Sequence, residues 1–390
     1  MNSALFGEHK TGQLVPIKVN TQDDFAFLPN PLPPTGWIFP NKLWPMLVKA
    51  KEALGTLNGS GKNLRDPQLL LSPLGRREAI TSSALEGTYA TPQELMLFEL
   101  SPTKPKSESD PANEWKEVYN YYDALKEGGK SLGEGMPFCL RMFKSLHEKL
   151  LGGTRHRYTS PGEFRKHQVA IGSDRRYIPP TVDHLDKCLA DLEAYINAEH
   201  GDLDPLVRAY LAHYQFEAIH PFYDGNGRIG RVLLSLMVYK WCNFKCPWLY
   251  MSAYFERYKD EYISKMFKIS TDGAWDDWLE FCLRGTIVQA EDAIRRCDAL
   301  LVLKEDMEKR INDHGGTVRS QRILNGLFSS PFVRVSSLAR KLEVAYPTAQ
   351  EDIDRLVKVG ILSQIEGVRP KSYAADEIFA IAYDPAESLR

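Results

Sequence analysis

The sequence lacks the features that mark several large classes of protein. It has no run of about eighteen uninterrupted apolar residues, which is the length that a membrane-spanning helix needs. It also has no excess of charge, since the formal net charge of its 390 residues is −2. A general electrostatic preference for nucleic acid or for a membrane surface is therefore excluded, although a local basic site remains open.

Cysteine is scarce, and its spacing does not indicate a disulfide framework. The six cysteines lie scattered in apolar helical contexts, at positions 139, 188, 242, 246, 282 and 297. We expect reduced, mostly buried thiols. Cys242 and Cys246 are one helical turn apart, but no second Cys or His pair at zinc-like spacing accompanies them, which disfavours a metal there. The first ten residues show no secretory signal pattern, so we expect a cytoplasmic protein.

The composition that is present is that of a folded protein with two or three domains, at 43% hydrophobic and 26% charged residues. Near the start, Phe25 to Pro40 alternates proline with large apolar residues and predicts an extended arm docked on another surface. Helical periodicity then dominates up to about residue 308. Beyond Gly315, three short helical patterns and two strand patterns predict a small winged-helix domain.

Two short extended pieces interrupt the helical patterns between Phe164 and Pro180. A charged turn at 173–176 joins them, and prolines follow, so we predict a hairpin-like flap.

The most informative stretch runs from His220 to Arg231, between two apolar helical patterns. Gly225 and Gly227 allow backbone amides to approach a ligand closely at the start of the second helix. Free amides and the positive end of the helix dipole make an anion site. Arg228 and Arg231 are three residues apart and can neutralise a polyphosphate.

A carboxylate and an imidazole complete this stretch. Asp224 beside phosphates is unfavourable unless a cation stands between them, which predicts bound Mg²⁺. His220 is the group that titrates near neutrality, and its neutral form could take the proton of an incoming hydroxyl. The stretch therefore predicts phosphoryl or nucleotidyl transfer.

The residues from His220 to Arg231 match the motif of the Fic family, which reads His-Pro-Phe-x-Asp/Glu-Gly-Asn-Gly/Lys-Arg-x-x-Arg. Phe216 to Ile219, Pro161 to Arg165 and the proline-rich arm also resemble the larger bacterial Fic proteins. The resemblance covers roughly residues 20 to 310 and implies a Fic-fold helical core.

What the resemblance implies is transfer of AMP from MgATP to a Tyr, Thr or Ser hydroxyl of a protein. His220 would be the base, Asp224 the metal ligand and Asn226 a phosphate contact. The amides of Gly225 and Gly227 would form the anion hole, and Arg228 and Arg231 would hold the β- and γ-phosphates. The flap would align the target segment by strand-like pairing through Ile171, Gly172, Tyr177 and Ile178.

A second motif acquires meaning from the same resemblance. Fic proteins can carry an inhibitory helix that reads Ser/Thr-x-x-x-Glu-Gly/Asn, which Ser82, Glu86 and Gly87 satisfy. The helix, at about 73–87, precedes the core, and Glu86 would pair with Arg231 and remove it from the γ-phosphate. Taken alone, the pattern is equally that of an ordinary helix C-terminus.

Three aromatic side chains have two interpretations each. His213 could be a second base, but a helical packing residue is the favoured interpretation. Tyr258 and Tyr262 follow the motif on the next helical pattern and could pack the adenine or serve only as core aromatics.

These observations predict a mainly α-helical enzyme in three parts, namely residues 1–105 with the inhibitory helix, a Fic core at 106–312 and a winged helix at 313–390. We expect ATP, Mg²⁺ and a target protein, which could be another copy of this chain, and a homodimer is possible. One alternative is removal of AMP, or transfer from another nucleotide or phosphate donor. Another is a nucleotide-sensing DNA-binding regulator, with a basic patch at Arg334, Arg340, Lys341, Arg369 and Lys371.

Overall fold

The N-terminal region forms a β-hairpin against the helical core. The computed structural model describes residues 1–7, 11–19, 22–62, 68–107, 109–154, 160–172, 174–199, 203–247 and 249–384. Strands β1 (Gly12–Val19) and β2 (Gln22–Pro29) pair antiparallel, with Gly12 opposite Pro29. The predicted extended arm at 25–40 is therefore a strand up to Pro29, because it pairs with β1. This part is also docked on the core, since Phe27 is fully buried and its amide donates to the Ile178 carbonyl at 2.8 Å.

The predicted flap is a minimal hairpin that this N-terminal hairpin supports. Ile171 and Tyr177 form an isolated antiparallel bridge, and Arg175 pairs with Asp24 of β2 at 2.8 Å. Gly172 has a φ of +83°, which suits glycine at the start of the turn. Ser173, inside the predicted turn, lies outside the described residues.

Helices make up most of the remaining structure, as the sequence predicted. The first eight are α1 (Trp44–Lys62), α2 (Gln68–Leu85), α3 (Pro92–Leu100), α4 (Ala112–Gly133), α5 (Leu140–Leu151), α6 (Val182–Asn197), α7 (Pro205–Ile219) and α8 (Asn226–Trp241). They are followed by α9 (Ser252–Arg257), α10 (Lys259–Asp272) and the long α11 (Trp275–Asp313). None of the helices in the described part of the chain is both long and apolar enough to cross a membrane.

Helices α7 and α8 form the centre of this core and hold the His220–Arg231 turn between them. Most residues of both helices are buried, because α4, α5, α6 and α11 pack around the pair. A helix that is apolar on all sides is stable only at such a central position. The turn between them is therefore placed on a rigid support.

The C-terminal region contains four helices and a small sheet. These are α12 (Val318–Ser329), β3 (Phe332–Arg334), α13 (Val335–Leu342), α14 (Tyr346–Lys358), β4 (Ser363–Gln364), β5 (Ser372–Ala374) and α15 (Asp376–Tyr383). The strands pair antiparallel in the order β3-β5-β4. Helices α12, α13 and α14 and strands β4 and β5 lie close to the predicted patterns, whereas β3 and α15 were not predicted. The winged-helix assignment and the three domain boundaries stay predictions.

Helix α2, which carries the predicted inhibitory motif, is anchored by consecutive charged residues. Arg76 bonds both carboxylate oxygens of Glu99 at 2.8 Å and donates to the Ser329 carbonyl, at the end of α12, at 2.6 Å. Arg77 pairs with Asp292 of α11 at 2.6 Å. Glu78 accepts hydrogen bonds from Tyr121 and Ser252. The C-terminal region thus contacts α2 directly.

We expect Arg76→Lys to loosen α2 and to raise basal activity a few-fold. A lysine keeps the charge but cannot make the two parallel bonds to Glu99 together with the bond to Ser329. The free energy of unfolding should fall by about 1–3 kcal/mol, the usual loss for hydrogen bonds to a charged group. Urea denaturation measures the change in the free energy of unfolding, and an initial-rate assay measures the change in basal activity. Arg340→Lys, on the exposed face of α13, is the matched control and should change neither quantity.

Candidate active site

The turn after α7 places His220 in an unusual backbone conformation. His220 has φ 49° and ψ 63°, the left-handed region that residues other than glycine seldom adopt. Arg165, which is 2% exposed, donates from Nε to the His220 carbonyl at 2.9 Å and from its backbone to the Pro221 carbonyl at 2.9 Å. It also donates to the Pro180 carbonyl. Arg165 thus compensates for the strain by binding the carbonyl groups that the turn exposes.

His147 of α5 holds the middle of the turn. Its ring stacks on Phe222, with centroids 3.8 Å apart and planes 5° from parallel. Nδ1 accepts a hydrogen bond from the Gly162 amide at 2.9 Å, so Nε2 carries the proton that bonds the Asp224 carbonyl at 2.9 Å. Burial lowers the pKa of His147 to about 4 and keeps the ring in this neutral form. His147 is therefore a positioning residue.

Asn226 closes the turn from the other side. Its Oδ1 accepts from the Phe222 amide at 2.8 Å, and its Nδ2 donates to the Phe222 carbonyl at 2.9 Å. The side chain is 2% exposed. These contacts support a role in shaping the turn in place of the predicted side-chain contact with phosphate. Gly225 precedes it as the N-cap of α8, with φ at +77°.

Arg228 and Asp224 lie beside a buried carboxylate that the sequence did not reveal. Arg228 is 2% exposed and pairs with Glu117 of α4 at 3.1 Å. The Asp224 carboxylate accepts from the Gly225 amide at 2.6 Å and lies 3.7 Å from Arg228. Glu117 therefore neutralises part of the charge that we assigned to phosphate binding.

The Asp224 side chain, at 36% exposed, is compatible with a magnesium ion. Within the described residues, no cluster of three or more His, Cys, Asp or Glu side chains is placed to hold a metal. Mg²⁺ usually keeps several waters and binds through one or two carboxylates together with substrate phosphates. The donor set fits that mode of binding and does not fit a cage made by protein alone.

Arg231 is bound by two of the three residues of the predicted inhibitory motif, Ser82 and Glu86. Its Nε donates to Ser82 Oγ at 2.8 Å, and its Nη2 donates to the Ser82 carbonyl at 3.0 Å and to Glu86 Oε1 at 2.7 Å. A Cβ atom added to Gly227 would lie 2.2 Å from Glu86 Oε1, so the carboxylate stands on the first turn of α8. Glu86 thus occupies the predicted anion site. Gly87, with φ at +81°, ends the segment.

The electrostatics of this pair are those of a stable ion pair. Burial alone would raise the pKa of Glu86, but Arg231 outweighs it, with Arg228 and His220 adding to the effect, and the net shift is downward. A carboxyl whose pKa is lower in the folded than in the unfolded protein stabilises the fold at any pH above its unfolded-state pKa. This stabilisation is lost only as the pH falls through the folded-state pKa. The contact is therefore intact throughout the physiological range.

Burial lowers the pKa of His220 to about 4, and Arg165 adds to the effect. The Glu217 carbonyl, Glu86 and Asp224 oppose this shift. The imidazole is consequently neutral at pH 7 and able to accept a proton.

A cavity of about 520 Å³ connects these groups. Among the predicted residues it is lined by Glu86, Ile171, Gly172, Tyr177, His220, Gly227, Arg231 and Tyr262. Asp224, Gly225, Asn226, Arg228, Tyr258 and Ile178 are not among its lining residues. The structure thus brings His220, the first turn of α8, Arg231 and one side of the flap around one space.

The two predicted adenine-packing tyrosines differ in position. Tyr262 is 4% exposed, lines the cavity and bonds His213 Nε2 at 2.8 Å. Tyr258 is 41% exposed and stands at the break between α9 and α10, where its ring lies 4.8 Å from that of Tyr254. Tyr258 does not line the cavity, and its role in an adenine pocket stays a prediction. His213 is fully buried, as expected of a packing residue.

Comparisons with known proteins agree with this geometry. Residues 137–238 match the model of the Fic/DOC family, and residues 44–130 match the model of the Fic/DOC family N-terminal region. Proteins named protein adenylyltransferase Fic from Drosophila ananassae and Drosophila melanogaster are 33% and 34% identical to this chain over 130 residues. That stretch is 32% of this chain but 24% and 25% of theirs, so the match spans about a quarter of these relatives.

Solved structures show the same fold. A Fic family protein from Desulfovibrio desulfuricans superposes with a TM-score of 0.55 at 19% identity, over 87% of this chain and 97% of that one. A Fic domain containing signaling protein from Bacteroides thetaiotaomicron has a TM-score of 0.52 at 18% identity, over 64% of this chain and 97% of that one. At such low identity the likeness concerns the fold alone.

Proposed function

The chain belongs to the Fic/DOC family, and we propose that it is a protein adenylyltransferase that transfers AMP from ATP to a protein hydroxyl and is inhibited by its own Glu86. The observation that carries the proposal is the cavity in which neutral His220, the first turn of α8 and Arg231 face one another. Those groups provide a base, amides for an anion and a cation for a phosphate tail.

The proposed reaction is a displacement at the α-phosphate of ATP by the acceptor hydroxyl. The oxygen of the acceptor hydroxyl attacks the α-phosphorus while His220 takes the hydroxyl proton. The bond from the α-phosphorus to its bridging oxygen breaks, and pyrophosphate leaves. The α8 amides and Arg231 stabilise the charge that moves onto the leaving group. Mg²⁺, which Asp224 would hold, neutralises phosphate charge when it is bound.

Inhibition follows from the position of Glu86. A carboxylate on the first turn of α8 repels the phosphates and holds Arg231 at 2.7 Å. Arg231 cannot keep its ion pair with Glu86 and bind a γ-phosphate with the same nitrogen atom, so productive binding of ATP requires Glu86 to move.

The test of the function uses two forms of labelled ATP with the Glu86→Gly variant and Mg²⁺. Transfer of AMP labels protein from [α-³²P]ATP but not from [γ-³²P]ATP, whereas a kinase gives the reverse. Mass spectrometry of lysate proteins identifies the acceptor residue. Absence of label from the α-phosphate on any protein, the chain itself included, would count decisively against adenylyl transfer.

The pH profile is a further expected result. In Glu86→Gly at saturating ATP, the single-turnover transfer rate should stay within about twofold between pH 8 and pH 5.5, because the pKa of His220 lies near 4. Loss of Glu86, which raises that pKa, moves it further down. A histidine with an ordinary pKa near 6.5 would lose about tenfold in its neutral form over the same range. That tenfold loss is the contradicting outcome. Acidification to pH 5.5 should likewise leave the wild type inhibited.

Removal of AMP from a modified protein is the second candidate, and the position of Glu86 favours it. The Glu86 side chain is 40% exposed and lines the same cavity as His220, so it could orient a water. If this alternative holds, the Glu86→Gly variant should no longer remove AMP from a protein that carries it.

A DNA-binding role draws less support from the C-terminal region. Arg334, one member of the predicted basic patch, is 8% exposed and bonds the Leu100 carbonyl and Ser372. Asp352 of α14 is buried and paired with Arg319, so the charge of this arginine is balanced within the protein. A salt series of gel shifts would detect phosphate contacts. DNA binding, a homodimer and a cytoplasmic location stay predictions.

A further inference from the structure

Glu217 is a carboxyl group that the proposed reaction leaves without a task. It lies near the end of α7, three residues before His220, and lines the same cavity. Its Oε1 atom is buried and has no hydrogen-bond partner. A buried polar atom without a partner destabilises a fold, so its presence at the wall of a cavity indicates an interaction that a ligand completes.

The neighbouring backbone leaves room for this carboxyl. A Cβ atom added to Gly230 of α8 would lie 2.1 Å from Glu217 Oε1, so a side chain at 230 would displace the carboxyl. Gly230 directly precedes Arg231. Glu217 is thus packed against bare helix backbone beside the predicted phosphate-binding cation.

The charge state of Glu217 matters because its neighbourhood is built for an anion. Burial raises its pKa to about 8, Arg231 lowers it and Glu86 raises it further. At pH 7 the group is mostly a neutral acid, which can donate a hydrogen bond. Once ionised, it would repel a polyphosphate.

Other charged and titratable groups face the same space. The charged or titrating residues that line it with Glu217 are Glu86, Asp174, Arg176, His220, Arg231 and Lys259. His220 is neutral and Glu86 ionised at pH 7. Burial raises the pKa of Tyr177, Tyr214 and Tyr262 and keeps them protonated, and it lowers that of His213 to about 3.

We propose that Glu217 contacts the nucleotide as a neutral acid, donating a hydrogen bond to the bound nucleoside triphosphate, and that its ionisation weakens nucleotide binding. This inference rests on the proposed function of the same cavity. It also links Glu217 to the inhibitory contact, because Glu86 and Arg231 act on it in opposite directions. When Glu86 is absent, Glu217 ionises at a lower pH in the free protein.

The test measures binding of α,β-methylene-ATP with Mg²⁺ to the full chain by calorimetry between pH 6.5 and 9.5. For the wild type, Kd should rise above about pH 8 and approach tenfold per pH unit, the limit for one linked proton. Glu217→Gln, whose carboxamide also donates, should bind within about threefold of wild type at pH 7 and show no such rise. Glu217→Leu should bind more weakly at every pH and also lack the rise.

Two outcomes would overturn the proposal, namely the same rise in Glu217→Gln as in wild type, or binding by Glu217→Leu as tight as wild type at pH 7. Glu217→Gln is nearly isosteric, so the comparison of slopes holds even if the leucine variant folds poorly. In Glu86→Gly the rise should begin at a lower pH. If AMP transfer fails but the wild-type Kd still rises with pH, only the proposed function is refuted. If AMP transfer occurs but the wild-type Kd does not change with pH, only the role of Glu217 is refuted.

Discussion

In a Glu86→Gly background, His220→Ala is expected to lower the rate of AMP transfer by about 10²- to 10⁴-fold, the usual contribution of a positioned general base. His220 is the neutral imidazole at the cavity wall, with its backbone bound by Arg165. The loss should appear in the single-turnover rate with [α-³²P]ATP. Nucleotide affinity should change little, because the α8 amides and Arg231 remain.

An exposed histidine provides the control for this experiment. His314 bonds the Arg310 carbonyl and does not line the cavity, so His314→Ala should leave the rate unchanged. The Glu86→Gly, His220→Ala protein should also unfold at the temperature of its parent within a few degrees. A rate within tenfold of the parent would mean that His220 is not the base.

Glu86→Gly alone is expected to raise transfer by about 10- to 100-fold, which corresponds to the loss of a charge-assisted hydrogen bond at a partly buried site. The substitution frees Arg231 from its 2.7 Å contact and removes the carboxylate from the first turn of α8. Initial rates of labelling from [α-³²P]ATP, on the chain itself or on an identified target, measure the effect.

Graded variants separate charge from shape in this contact. Glu86→Gln keeps the length of the side chain but loses its charge, so its rate should fall between wild type and Glu86→Gly. Ser82→Ala removes the acceptor of Arg231 Nε and leaves Glu86 in place, which predicts a rise of only a few-fold. Glu52→Gln, exposed on α1, is the matched control. If Glu86→Gly stays as slow as wild type while it still binds ATP, the inhibitory role is refuted.

The sequence predicted the central motif well because its geometry is local. The helix before the motif ends at Ile219 and the helix after it begins at Asn226, so the turn lies between two helices as predicted. Pro221 restricts the backbone after His220, and glycine at 225 permits the left-handed conformation at the N-cap of α8. Contiguous residues with such preferences indicate a turn from the sequence alone.

Other members of the site come from distant elements and carry no comparable signal. Glu117, His147 and Arg165 are separated from the motif by 111, 77 and 55 residues in the contacts they make. A lone Glu, His or Arg in a helical or loop pattern is usually a surface or packing residue. The stretch around Arg165 entered the family resemblance, but its task as a ligand for carbonyl groups is visible only in the structure.

One local prediction failed and another was extended, for identifiable reasons. Tyr258 was placed on a continuous helix, whereas φ −117° and ψ 41° at that residue separate α9 from α10 and change its face. The arm at 25–40 begins as a strand because β1 supplies a partner that a proline-rich pattern does not announce. Pairing of strands depends on the partner as much as on the strand itself.

The sequence by itself determined the helical class and the position of the His220–Arg231 turn, and it predicted an anion site there and the spacing that makes Glu86 a candidate inhibitor. Those features depend on neighbouring residues and on helical period. Only the tertiary structure decided that Glu86 meets Arg231 across 145 residues, that Glu117 shares Arg228, and that Glu217 lies against Gly230. Burial and long-range packing set these contacts and the ionisation states that follow, and both arise when the helices are brought together.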